Sequence, residues 1–252
     1  MTKPNGYILY EGPSLIDHKP IVMIALLGSK NIKTGNMMQT YIIRSDIDPR
    51  LANKTGEDTS ICGNCPMKGT PTNEPDRKQA KDRPCYVILG QGPLIVYNSY
   101  KAGKYPHAKD IASIGQDRVV RIGTYGDGSA VPKPIVDQLL SKSKGHTAYS
   151  HQSEVKQSGF DANKYMISAD SLGQAQKAWV KKHRTFRVIK DQKELDKDNE
   201  ILCPASREAG QRTTCIDCRL CSGASIKAKS IAIIVHGAGK KTFYLERIRQ
   251  WN

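Results

Sequence analysis

No stretch of the 252-residue sequence approaches the roughly 18 consecutive apolar residues of a membrane-spanning helix. The opening MTKPNGYILYEG carries no apolar run of the kind a secretory signal needs. There is no polybasic tail, no internal repeat and no low-complexity tract. No glycine-rich dinucleotide fingerprint follows any of the apparent strands, which disfavours a Rossmann sheet. Negative charge is scarce, with 24 Asp plus Glu against 39 Lys plus Arg, a formal charge of +15. The expectation is a basic, cytoplasmic, globular protein with no membrane partner.

Hydrophobic residues make up 38% of the chain, enough for a real core and too much for a disordered one. The basic residues concentrate at Lys101–Lys109, Lys133–Lys144, Lys177–Arg187 and Lys227–Lys241. A folded surface of that charge attracts polyanions at long range, and nucleic acid is the favoured partner.

Apolar runs at Ile21–Leu27 and Met38–Ile43 read as strands around a Gly/Asn turn. Residues 45–83 read as a long polar loop, and the spacing in Pro93–Lys104 as a short helix. From Arg118 onward strands and helices alternate. Val119–Tyr125, Thr147–His151, Lys164–Ala169, Thr185–Ile189, Glu200–Cys203 and Ser230–His236 read as strands. Pro134–Ser143 and Leu172–Lys182 read as helices, the second capped by Asp170 or Ser171. This rhythm predicts a parallel sheet, and an α/β barrel of the TIM type, complete or distorted, is preferred. The whole of 1–252 is taken as one barrel-like domain, with a Cys-rich loop at 45–92 and a metal-binding segment at 203–236.

The seven cysteines fall into two groups. Cys62 and Cys65 form C-G-N-C-P, with Cys85 in R-P-C-Y-V. Cys203 stands in L-C-P-A-S, and Cys215, Cys218 and Cys221 form C-I-D-C-R-L-C. Thiols at such spacings suit a thiophilic metal better than a core. Zinc is expected, held by Cys215, Cys218, Cys221 and His236, with Cys62, Cys65, Cys85 and Cys203 as a second set. A different partition unites Cys203, Cys215, Cys218 and Cys221 and leaves three thiols over. Four such thiols also suit an iron–sulfur cluster.

In a parallel α/β fold, chemistry gathers where strands end. The apparent strand ends carry Asp127 between Gly126 and Gly128, His151, Asp170, Cys203 and His236. Asp127 and Asp170 are candidate catalytic carboxylates, as nucleophile and general base or as acceptors for a purine's N–H edge. Tyr149 can stack on a base, and Gly126, Gly128 and His151 complete the candidate binding set. Each has a plainer reading: Asp170 as a helix cap, Asp127 as a turn residue, His151 as a structural histidine.

These motifs, from C-G-N-C-P through R-I-G-T-Y-G-D, A-Y-S-H-Q and S-A-D-S to C-I-D-C-R-L-C and A-I-I-V-H-G, are together similar to a Cys-rich bacteriophage family. The late three-Cys cluster followed by a strand-borne His also resembles the zinc site of queuine tRNA-ribosyltransferases and of the related phage deazaguanine DNA transglycosylases. That resemblance implies a zinc-bearing TIM barrel that exchanges guanine in DNA for a 7-deazaguanine base. Asp127 would attack the sugar to form a covalent intermediate, and Asp170 would hold the base. The implied partners are DNA and a 7-deazaguanine, and the implied location is the cytoplasm of a bacterial host. An iron–sulfur enzyme, possibly of radical type, and a zinc-stapled nucleic-acid-binding protein without catalysis are the alternatives.

Overall fold

The structure is a computed structural model that describes residues 4–237 and 239–251, with side chains as far as residue 245. Its strands form two five-stranded sheets. The first contains, in spatial order, β1 (Gly6–Pro13), β2 (Pro20–Leu26), β3 (Met38–Arg44), β4 (Val119–Tyr125) and β5 (Gly145–Thr147). The antiparallel ladder runs through β1, β2 and β3, and β3, β4 and β5 are parallel. In β2 every residue from Ile21 to Ala25 is fully buried, as expected of a strand covered on both faces.

The second sheet is wholly parallel, in the order β6 (Tyr149–Ser150), β7 (Met166–Ala169), β8 (Thr185–Ile189), β10 (Ser230–Ile234) and β9 (Glu200–Leu202). Only Ala148 separates β5 from β6, so one extended segment pairs with β4 in its first half and with β7 in its second. Ala148 is itself held, donating to the Cys221 carbonyl at 2.8 Å and accepting from Met166 N at 3.0 Å.

The α/β class holds, but the described strands form two sheets, one wholly parallel and one mixed, rather than a closed barrel; β1 and β5 edge the first sheet, β6 and β9 the second. Strand–helix alternation dictates parallel neighbours and does not by itself impose closure. The expected long loop is also corrected. It holds two short helices, α1 (Pro49–Thr55), capped at both ends, and α2 (Thr59–Cys62), closed by the Gly63 N–H on the Thr59 carbonyl. In α1 the Asp48 side chain accepts from Arg50 N, Pro49 opens the first turn, and Gly56 ends it in the left-handed conformation.

The remaining helices are α3 (Gly92–Lys101), α4 (Ile111–Gly115), α5 (Lys133–Leu140), α6 (Leu172–Val180), α7 (Cys215–Cys218) and α8 (Lys240–Trp251). Ser171 caps α6 by accepting from Gln174 N, and Ala175 and Ala178 form its buried face. Trp179 then pins it to the second sheet, its indole N–H shared between Thr185 Oγ1 at 3.0 Å and Ser230 Oγ at 2.9 Å. Across β10, buried Arg187 of β8 pairs with buried Glu200 of β9, Nε to Oε1 at 2.9 Å. Among the described residues no helix is long and apolar enough to cross a membrane.

Candidate functional site

A cavity of about 560 Å³ opens between the two sheets, and all seven cysteines line it. So do Gly126, Asp127, Tyr149, His151, Asp170 and His236. Gly128 is the one sequence-derived candidate outside its lining, packed instead beneath Ile122 and Tyr165.

The thiols form two neighbourhoods. Cys62 and Cys85 feel one another and Cys65 electrostatically, whereas Cys203, Cys215, Cys218 and Cys221 feel each other. The grouping follows the partition that unites Cys203 with the C-x-x-C-x-x-C loop. His236 lines the same cavity, next to Tyr86 of the Cys85 segment. Its Nδ1 lies 2.9 Å from the Ile234 carbonyl and 3.8 Å from Glu208, and its ring faces Tyr86.

All seven cysteines are free thiols. Burial pushes Cys62 well above the usual thiol range, and also raises Cys85, Cys203 and Cys215. Cys221 is pushed up to about 12 by burial, despite the hydroxyl of Tyr149 beside its sulfur. Deprotonating these thiols calls for a cation stronger than the neighbouring side chains.

Each thiol loop is held by its backbone. Lys68 Nζ donates to the Gly63 carbonyl at 2.9 Å, Gln152 Nε2 to the Cys62 carbonyl at 3.1 Å, and Arg83 Nη1 to the Cys85 carbonyl at 3.1 Å. Gly63 has φ +51°, and a Cβ there would strike the Gln152 side chain, so the C-G-N-C turn admits only glycine. On the other loop Arg184 is buried and spends its guanidinium on four carbonyls. These are Ala228 at 2.8 Å, Leu220 at 2.7 Å, Gly223 at 2.9 Å and Lys229 at 2.7 Å. Two of those carbonyls bracket Cys221.

Asp127 is a hub. Its carboxylate accepts from Ser129 N at 3.0 Å, Ser129 Oγ at 2.8 Å, Ser150 Oγ at 3.0 Å and His151 N at 3.0 Å. Its own N–H donates to Ile61 O at 2.6 Å, one residue before Cys62. With 8% exposure and four donors, it is built to organise this end of the cavity. The adjoining Gly126 has φ +80° and lies against the Ile42 carbonyl, 2.5 Å from where a Cβ would stand.

His151 joins the two candidate aspartates. Its backbone meets Asp127, and its Nε2 lies 3.2 Å from Asp170 Oδ1. Burial disfavours charge on the ring, but Cys65 and Asp170 outweigh it and hold the imidazole well above its ordinary value. Asp170 also accommodates α6, its N–H donating to Gln174 Oε1 at 2.7 Å, while the cap itself is Ser171. Tyr149 is committed to protein contacts, packing on Phe186 with ring centroids 4.4 Å apart.

Several buried polar atoms around the cavity have no hydrogen-bond partner: Asp58 Oδ1, Arg83 Nε and Tyr125 OH beside the first thiols, and Thr147 Oγ1 in β5. As the side chains stand, no three His, Cys, Asp or Glu groups among the described residues could together hold a metal ion. The thiol sets are neighbourhoods rather than closed coordination shells.

Sequence reasoning overlooked Arg121, Arg184 and Gln152. Arg121 interrupts the apolar run VVRIGTY, and a lone Arg in a buried strand is a legible signal. Arg184 and Gln152 act on carbonyls, which leave no trace in sequence. No protein family, no curated protein and no solved structure matches this chain.

Proposed function

We propose that the protein is a metal–thiolate enzyme acting on a small substrate within this cavity. Cys203, Cys215, Cys218 and Cys221 are assigned an iron–sulfur cluster, and Cys62, Cys65 and Cys85 a second metal centre with an open position. The observation that carries the reading is that every thiol, from four separated stretches of chain, lines the same cavity. The donor set is all sulfur, unpaired in disulfides, and orphaned polar atoms surround the first set, so the chemistry of these residues suits such a group although the side chains as they stand do not enclose one. Loading would draw each neighbourhood together.

A purely structural zinc site is coordinatively complete and has no need of a substrate cavity. Two thiol sets opening on one cavity suit chemistry better than stapling. When bound, an iron–sulfur cluster supplies one-electron chemistry. The chain's own part is positional. Lys68, Gln152, Arg83 and Arg184 fix the thiol loops, Asp127 fixes the turn that carries His151, and His151 Nε2 holds a proton against Asp170 at the cavity wall.

A second reading is exchange of guanine in DNA for a 7-deazaguanine, with zinc in place of iron. One observation favours it: Asp127 and Asp170 line one cavity and are bridged by His151. The four bonds on Asp127 would pass the nucleophile's role to Asp170, and the +15 charge would serve the DNA.

Elemental and acid-labile sulfide analysis of anaerobically purified protein, with its absorption spectrum, separates the two. Iron with sulfide and broad visible absorption is the expected result. Zinc alone, with no visible band, overturns the cluster and directs the next assay to guanine release from DNA.

A further inference from the structure

Arg121 lies in the middle of β4, only 9% exposed, and it lines the cavity. No carboxylate among the described residues pairs with it. Its guanidinium makes one side-chain hydrogen bond, from Nη2 to the Tyr86 hydroxyl at 2.7 Å, and sits 5.9 Å from the centroid of the Tyr149 ring. The contrast with the other buried arginines is sharp. Arg44 engages Asp46 and Glu57, Arg187 engages Glu200, and Arg184 is saturated by carbonyls. A guanidinium is a planar fork of five N–H donors, and those of Arg121 that no side chain takes are not sealed in protein but stand where a ligand in the cavity can reach them.

The walls around it are aromatic. Tyr41, Tyr86, Tyr149 and Phe186 all border the cavity. Tyr86, 54% exposed, stands on the irregular segment between Pro84 and Gly90 and brings its hydroxyl to the guanidinium.

We propose that Arg121 is the anion-binding residue of the cavity and that the substrate is a small flat molecule bearing an oxyanion, either a carboxylate or a phosphate. Both match the guanidinium fork bidentately, and the aromatic walls accept a planar body. The inference rests on reading the cavity as the substrate site, but not on which metal the thiols hold.

The test is calorimetric titration of the full-length, metal-loaded protein with benzoate, phenyl phosphate and neutral benzamide. At least one anion should bind roughly tenfold or more tightly than benzamide, and the better of the two identifies the substrate's group. Arg121→Gln should abolish that preference, and Arg121→Lys, which keeps the charge but loses the fork, should weaken it by about tenfold. Arg50→Gln, on α1 and outside the cavity lining, should leave it intact. Arg121→Lys keeps the test open if Arg121→Gln does not fold. Equal binding of all three probes overturns the proposal, as does an anion preference that survives in Arg121→Gln. A third overturning result is loss of metal in Arg121→Lys with no anion binding in the parent, which would make the thiolates themselves the counter-charge. Metal analysis alone decides the metal–thiolate reading, so either conclusion can fail without the other.

Discussion

The carboxylate of Asp127 accepts the backbone N–H of His151 at 3.0 Å. That bond ties the end of β4 to the end of β6, and the two serine contacts beside it lock the same corner. The expected result of Asp127→Ala is accordingly a loss of stability of about 3 kcal/mol, from buried donors left without an acceptor. Urea unfolding measures it. A variant as stable as the parent would show that the carboxylate is held for chemistry rather than for architecture.

His146 of β5 gives a pH prediction. Burial pushes its imidazole below the ordinary value, against the pull of the Lys164 carbonyl 2.9 Å from Nε2. A depressed histidine favours protons on the unfolded chain. Its contribution to stability is therefore complete above about pH 6.5 and declines as pH falls below that towards the folded value. His146→Gln, whose amide keeps a donor for Lys164, should flatten the acid limb below about pH 6.5. Thermal midpoints across that range decide; an unchanged slope would assign the acid sensitivity to other groups.

Arg184→Met should cost about 3 kcal/mol, because four carbonyls, that of Gly223 buried and the others partly so, lose their donor at once. For a chain of this size the melting temperature should fall by roughly 10 °C. Metal bound at the Cys221 loop should fall with it, while the Cys62 loop, held by other side chains, keeps its share. Equal loss from both would show that the loops are not independent.

Cys85→Ser and Cys221→Ser should each remove one portion of the bound metal and spare the other. Metal-to-protein ratios of the two variants and of the double variant report this directly. If either single change empties the protein, the seven thiols serve one shared centre.

Much of this architecture is written locally. Val119–Tyr125 and Thr185–Ile189 read as strands and are strands with those bounds, because each is a compact apolar run. Thr147–His151 reads as one strand and is divided at Ala148, since which neighbour a segment pairs with is a long-range matter. Gly6–Pro13 was obscured by its own Gly and Pro residues, and its strand exists because β2 offers a ladder. In α1 the Asp-Pro start and Gly stop were present in the sequence, but seven residues are too few to show periodicity. The same division holds in the site. Cysteine spacing announces two clusters, yet which cysteine joins which cluster depends on where β9 delivers Cys203. Arg121 declares itself only once its strand is seen to face a cavity.

The segment from Gly145 to Ser150 belongs to both sheets, so neither sheet is a separable folding unit. Detaching it from one side removes the outer pairing of the other and frees the Cys221 carbonyl that Ala148 holds. The molecule should therefore open as a single cooperative block, with amides in β4 and β7 exchanging their hydrogens through the same global event. The sheets are thereby held in one fixed register, while each thiol loop keeps its own side-chain anchors on that shared frame.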